Sequence, residues 1–264
     1  MPTSMVIAYG AVRIEVLAQG MGPPVVLLPS LGRGASDFDL IAEQLEAAGY
    51  RVLRPQPRGI GRSVAPLTGI DLHDYAGDVA AVIEGEGAGP AFVVGHAFGN
   101  RVARMLATDR PELVRAIALV AANIGKAPSP PQVRAAIRAS ADPGLPAAER
   151  IAALQFAFFA PGNDPRSWLS GWYPEVLAAE RIAGDRTSRE EDFAGGSAPI
   201  LYLQPGDDPL AHVEDAEAYK AQFGARVTVV VIPHASHAVI AEQPDAVSAA
   251  LIAYARKLWP GSVL

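Results

Sequence analysis

The chain has 264 residues, half of them hydrophobic and 19% charged, with a formal net charge of −6 and no cysteine. That length can bury a substantial core, and the apolar content excludes intrinsic disorder. An acidic chain without a basic cluster suits neither nucleic acid nor an anionic membrane surface, and the missing cysteines exclude disulfides and thiolate chemistry. No apolar run is long enough to span a bilayer, and the first residues lack a basic stretch followed by an apolar one. The expectation is a soluble, cytoplasmic protein.

The opening Met5–Ala18 reads as an antiparallel hairpin turning near Tyr9-Gly10. Val25–Ser30 is a short apolar run bounded by Pro and Gly, and predicts a buried strand. In Asp37–Gly49 the apolar residues Phe38, Ile41, Leu45 and Ala48 keep a helical spacing that Gly49 closes. A strand at Arg51–Pro55, a helix at Leu72–Glu84, a strand at Ala91–His96, a helix at Phe98–Asp109 and a strand at Ala116–Ala121 follow. The alternation resumes late, with strands at Ile200–Gln204 and Val227–Ile232 and helices at Glu214–Phe223 and Pro244–Leu258. Continuous Val/Ile/Leu strands alternating with amphipathic helices predict a parallel sheet covered on both faces.

Between Asn123 and Ala198 the rhythm breaks. Short helices are expected at Pro131–Ser140, Ala147–Phe159 and Pro174–Gly184, among Phe156, Phe158, Phe159, Trp168, Trp172 and Tyr173. A structureless loop of that length is uncommon, so residues 124–196 read as a helical cap inserted in an α/β core of residues 1–123 and 197–264.

Ligands of open parallel sheets gather at the C-terminal strand ends. One strand there is followed by Pro29-Ser30-Leu31-Gly32 and another by Gly95-His96-Ala97-Phe98-Gly99. The later strands run into Asp207-Asp208-Pro209 and His234-Ala235-Ser236-His237. A carboxylate turn and a histidine loop therefore meet a strand–Gly-x-Ala-x-Gly–helix turn at one edge. His234, His237 and His212 lack a matching carboxylate spacing for zinc, and Gly59-Ile60-Gly61 lacks the third glycine of a dinucleotide loop. No metal and no cofactor is expected.

These motifs, in this order, resemble the α/β-hydrolase superfamily over essentially the whole chain. The resemblance implies a mostly parallel eight-stranded sheet flanked by helices, with a helical cap. Gly95-His96-Ala97-Phe98-Gly99 matches the family's nucleophile elbow, G-x-S-x-G. Asp208, favoured over Asp207 by register, matches its acid, and His237, followed by Glu242-Gln243-Pro244-Asp245, matches its histidine. The resemblance further implies an oxyanion hole from the backbone N–H groups of Leu31 and Phe98.

The elbow departs from the family at its centre. Ala97 stands where serine is usual, and a methyl group cannot form an acyl-enzyme. The alanine is either native or a replacement that disables the enzyme. Asn100, where a second glycine is usual, and Gln56, before the arginine-glycine loop, favour natural divergence. His237 oriented by Asp208 would still serve as a base, since imidazole exchanges protons near neutral pH. Ser30, His96, Trp168, Trp172 and Tyr173 are candidates for substrate contact; Arg58 is expected to pair with a core carboxylate instead. The expected substrate is a small hydrophobic ester, lactone or similar carbonyl compound. The alternatives are lyase, isomerase or cofactor-free oxygenase chemistry, or a ligand-binding pseudoenzyme. A homodimer is compatible with the chain, although no heptad seam is visible.

Overall fold

In the computed structural model, which describes residues 2–87, 89–124 and 130–261, the sheet has eight strands. In chain order the elements are β1 (Thr3–Tyr9), β2 (Val12–Gln19), β3 (Pro24–Leu28), α1 (Asp39–Ala47), β4 (Arg51–Pro55), α2 (Leu72–Glu86), β5 (Ala91–His96), α3 (Phe98–Asp109) and β6 (Val114–Val120). Then come α4 (Pro131–Ala141), α5 (Ala147–Ala157), α6 (Pro174–Arg186), α7 (Arg189–Phe193), β7 (Ile200–Pro205), α8 (Val213–Phe223), β8 (Val227–Ile232), α9 (Val239–Glu242) and α10 (Pro244–Leu258).

The spatial order is β1-β2-β4-β3-β5-β6-β7-β8. The β1–β2 hairpin pairs antiparallel with itself and with β4, and every other pairing is parallel. The central strands β3, β5 and β7 are buried along their whole length, so their apolar runs face helices on both sides. One core lies between the sheet and α2 and α3, around Val26, Val93, Tyr75 and Leu106. The other lies against α1 and α10, around Leu27, Val94, Leu45 and Leu251. A third cluster joins α4 and α5 to the C-terminal edge of the sheet through Phe158, Phe159, Trp168 and Ala238.

Two boundaries differ from the sequence reading for identifiable reasons. The helix expected from Asp37 begins at Asp39, after a 3₁₀ turn over Ala35–Phe38, because Arg33 takes both Asp37 carboxylate oxygens at 2.6 Å. The helix expected to reach Phe159 stops at Ala157, where Phe158 turns inward and its carbonyl accepts the Ala238 N–H at 2.8 Å. The short α7, capped by Ser188 and Glu191, and the short α9 are additional to the helices that the sequence pattern predicts. Residues 125–129, at the start of the segment read as a cap, lie outside the described residues.

Arg58 pairs with a core carboxylate. Its Nε and Nη2 donate to Asp78 at 2.6 and 2.9 Å, and Tyr9 donates its hydroxyl to the same carboxylate. Both members of the pair are buried, so removing Asp78 leaves the Arg58 charge only two backbone carbonyls and the more distant, half-exposed Asp74 carboxylate at 3.9 Å. Asp78→Ala is expected to destabilise the fold by about 3–5 kcal/mol in urea unfolding at pH 7. A loss under about 1 kcal/mol would show that water reaches the guanidinium.

Candidate active site

Strand β5 ends at His96 and α3 starts at Phe98, so Ala97 alone turns the chain from strand to helix. It does so at φ 49° and ψ −108°, a conformation that costs a residue with a Cβ on the order of 1–3 kcal/mol. The turn is held from both sides. The Ala97 N–H donates to Val120 at 2.9 Å, and the Ala97 carbonyl accepts the backbone N–H of Asn100 at 3.1 Å and its side-chain amide. Asn100 thus secures the turn with a second hydrogen bond that glycine could not make. The flanking glycines are demanded by close approach. A Cβ on Gly95 would lie 2.2 Å from the Gly99 carbonyl oxygen, and one on Gly99 would lie 2.4 Å from that of Leu28.

That second contact brings the loop after β3 against the first turn of α3. In that loop Ser30 is buried and Leu31 half-buried; in the turn Ala97 and Phe98 are half-buried. Phe98 begins the helix, so its N–H belongs to the first turn, whose donors have no acceptor within the helix. The other non-glycine residues with positive φ among those described are Ala121 and His234, which follow β6 and β8. Backbone strain is therefore concentrated at one edge of the sheet.

The same edge carries the acid and the histidine. The loops after β7 and β8 are joined by Gly206 N–H to Ile232 O and Asp207 N–H to Ala235 O, both at 2.9 Å. His237 Nδ1 lies 2.8 Å from Asp208 Oδ2, and the other oxygen of Asp208 accepts the Leu210 N–H at 2.7 Å. Asp208 and His237 are both buried, whereas the Asp207 side chain is exposed. The structure pairs Asp208, not its neighbour, with the histidine.

His96 has no exposed surface, and its Nε2–H donates to the His237 carbonyl at 2.7 Å. Burial drives its pKa down from 6.5 to about 3, so the ring is neutral. It reaches the site through the backbone of His237. Trp168 is likewise buried, with its ring 5.9 Å from His96 and its body against Phe158 and Phe159. Trp172 is half-buried and donates Nε1–H to the Trp168 carbonyl at 2.7 Å. The Arg33 guanidinium lies over both indoles, 4.5 and 4.8 Å from the ring centroids. Tyr173 is the most open of these aromatics, and its N–H donates to the Gly32 carbonyl at 2.9 Å.

Three supporting residues escaped the sequence reading. Glu242 joins the histidine loop to the segment after α5, accepting from Ser236 N–H and from Ala160 N–H and the Asn163 side chain, all at 2.7 Å. Its place in the Glu-Gln-Pro-Asp run was the only available signal. Phe158 lies 5.8 Å from the His237 ring, and Arg33 binds the two indoles. Neither has a local sequence signature. Among the described residues no group of three or more His, Asp or Glu is gathered to hold a metal ion.

The sequence profile of the alpha/beta hydrolase family matches residues 25–250. The chain belongs to the alpha/beta hydrolase family. It is a hydrolase-type enzyme of that family. A non-heme chloroperoxidase from Streptomyces lividans is 28% identical over 89% of this chain and 92% of its own. A 2-(acetamidomethylene)succinate hydrolase from Mesorhizobium japonicum is 29% identical over 42% of this chain and 40% of its own. The esterase of Exiguobacterium antarcticum superposes with a TM-score of 0.78 over 97% of this chain and all of that chain, at 20% identity. That likeness shows the shared family fold.

The neutral His96 makes a test of this geometry. Its folded pKa of about 3 lies below the ordinary 6.5, so the folded state binds fewer protons than the unfolded state between those values. Its contribution is complete above about pH 6.5 and is lost as pH falls toward 3. In urea unfolding between pH 4 and 6.5, His96→Asn should flatten the slope of stability by up to one proton, about 1.4 kcal/mol per pH unit. An unchanged slope would show that the imidazole is protonated in the folded protein.

Proposed function

We propose that the protein hydrolyses an ester, lactone or comparable carbonyl bond of a small hydrophobic compound, with water as the nucleophile. The observation that carries this reading is the buried His237–Asp208 pair at 2.8 Å, at the same sheet edge as the Ala97 turn. Asp208 takes Nδ1, which leaves Nε2 for proton transfer. Nε2 removes a proton from water while the oxygen adds to the substrate carbonyl. The resulting oxyanion is received by the N–H groups of Leu31 and Phe98, donors worth about 3–4 kcal/mol each in such sites. Collapse expels the alcohol oxygen, which recovers the proton from His237, so ester and water become acid and alcohol.

In this reading the helices between β6 and β7 form a lid, and its aromatic side chains supply an apolar cover. Ser30 at the edge of the anion loop and the open faces of Trp172 and Tyr173 are the proposed substrate contacts. His96 and Trp168 support the site from behind. A second reading keeps the same base and anion-binding loop but uses them for proton abstraction without hydrolysis. Its support is the methyl group at position 97, which leaves the turn without a nucleophile.

Turnover of a panel of short-chain aryl esters and lactones tests both. The chain as it stands should hydrolyse at least one of them, and His237→Ala and Asp208→Asn should each lower kcat by at least about a hundredfold. Undiminished turnover in His237→Ala would sink the hydrolytic reading. Activity that appears only in Ala97→Ser would assign the fold's chemistry to an acyl-enzyme that the alanine prevents.

A further inference from the structure

Glu180 is a fully buried carboxyl on α6 that the hydrolytic scheme leaves unused. Its Oε2 accepts the Gly32 N–H at 2.6 Å. Gly32 follows Leu31 in the loop after β3, and its carbonyl accepts the Tyr173 N–H at 2.9 Å. Both backbone polar groups of Gly32 are therefore bound by one stretch of chain, Tyr173 at the N-cap of α6 and Glu180 within the helix. The fit is close enough to require glycine. Gly32 has φ +66°, and a Cβ there would lie 2.5 Å from the Leu177 Cβ. The turn is closed on itself by the Arg33 N–H on the Ser30 carbonyl at 3.1 Å.

We propose that Glu180 is a positioning residue for the anion-binding loop, holding Gly32 so that the preceding Leu31 N–H is aimed at the oxyanion. The proposal rests on the hydrolytic reading above. A turn tied at Ser30–Arg33 still has freedom at its tip peptides. Binding both the N–H and the carbonyl of Gly32 removes most of that freedom. The Leu31 N–H is then preorganised, which is the condition under which an oxyanion donor contributes most. A misplacement of about 1 Å can cost a hundredfold in rate.

The surroundings explain why a carboxyl can sit there. Glu180 lines a mostly apolar cavity behind the elbow, formed with Pro29, Tyr75, Asp78, Phe98 and Gly99. From α2, Tyr75 and Asp78 face it; the Asp78 charge is already taken by Arg58, on the loop after β4, and the Tyr75 hydroxyl is buried without a hydrogen-bond partner. From that same loop Gln56 is uncharged, and from α3 Phe98 and Gly99 bring no charge. No cation among the residues lining the cavity compensates a carboxylate, and burial pushes the Glu180 pKa up to about 8. At neutral pH the acid is therefore mostly protonated while one of its oxygens accepts from Gly32. Ionisation would place a negative charge beside the loop that receives the oxyanion. The rate should therefore fall as pH rises through about 8.

The experiment compares Glu180→Gln, which keeps an acceptor but cannot ionise, with Glu180→Leu, which removes the acceptor. Each is made in the chain as it stands and with Ala97→Ser. Glu180→Leu should lower kcat on the aryl-ester panel by about a hundredfold with KM within about threefold. Glu180→Gln should restore kcat at pH 7 to within about threefold and abolish the fall above pH 8. A Glu180→Leu loss below threefold, or an equal loss in Glu180→Gln, overturns the proposal. If neither background turns over any ester, the hydrolytic reading has failed, and the Gly32 amide proton of ¹⁵N-labelled protein then decides the tether. A downfield resonance that moves with pH near 8, stays downfield but fixed in Glu180→Gln and returns upfield in Glu180→Leu supports the tether. A resonance indifferent to Glu180→Leu overturns it.

Discussion

The site depends on how closely the first turn of α3 approaches the backbone after β3. Gly99 sits where any Cβ would strike the carbonyls of Leu28 and Pro29, so helix and loop touch through backbone alone. That contact sets the first turn of α3 against Leu28 and Pro29, directly before the Ser30–Arg33 turn. It also obliges Ala97 to make the whole change from strand to helix, and the positive φ at that residue is the conformational cost. Because β5 runs straight into the turn, His96 is placed to hold the His237 carbonyl from below. The elbow and the histidine are thus joined by one hydrogen bond through a ring that burial keeps neutral.

The segment between β6 and β7 is bonded to both sides of this edge. Its Phe158 carbonyl takes the Ala238 N–H, and Glu242 gathers Ala160 and Asn163 on the histidine side. On the loop side Tyr173 and Glu180 hold Gly32, and Arg33 lies over Trp168 and Trp172 while donating to the Ser170 carbonyl at 2.8 Å. The segment is hydrogen-bonded to these loops at two places, through Tyr173 and Glu180 on Gly32 and through the residues after α5 on the histidine loop, so neither joint rests on apolar contact alone.

The parts visible in the sequence are those imposed by local rules. Buried parallel strands must be apolar on both faces, and a strand-to-helix turn against another backbone must carry glycine on each side. Those constraints leave marks a few residues long, which is why the sheet and the Gly95–Gly99 turn are legible; Asp208 and His237 are legible through their place after the late strands and the family resemblance. The supporting contacts leave none. Gly32 and Glu180 are 148 residues apart, and Asn163 and Glu242 are 79 apart. A lone glutamate in an amphipathic helix is ordinarily solvated, so nothing near Glu180 marks it as buried. The misjudged helix boundaries have the same origin: Asp37 was engaged by Arg33, and Phe158 by the histidine loop, through contacts that helical periodicity does not encode.

The alanine at the centre of the turn separates two functions that a serine there would combine. A side chain at that position can act as a nucleophile, while the backbone around it aims the N–H groups of the first helical turn. Replacing a hydroxymethyl by a methyl removes the first function and leaves the second. The backbone keeps its strained conformation, and Asn100 binds the Ala97 carbonyl through both its main chain and its side chain. The turn is secured at both its N–H and its carbonyl, so its geometry does not depend on a hydroxyl at position 97. The strain sits at the start of α3, and the buried acid–histidine pair stands on the same edge. In the proposed reading His237 is the base and the turn is the receptor for negative charge, the two groups that proton transfer to and from a small molecule requires.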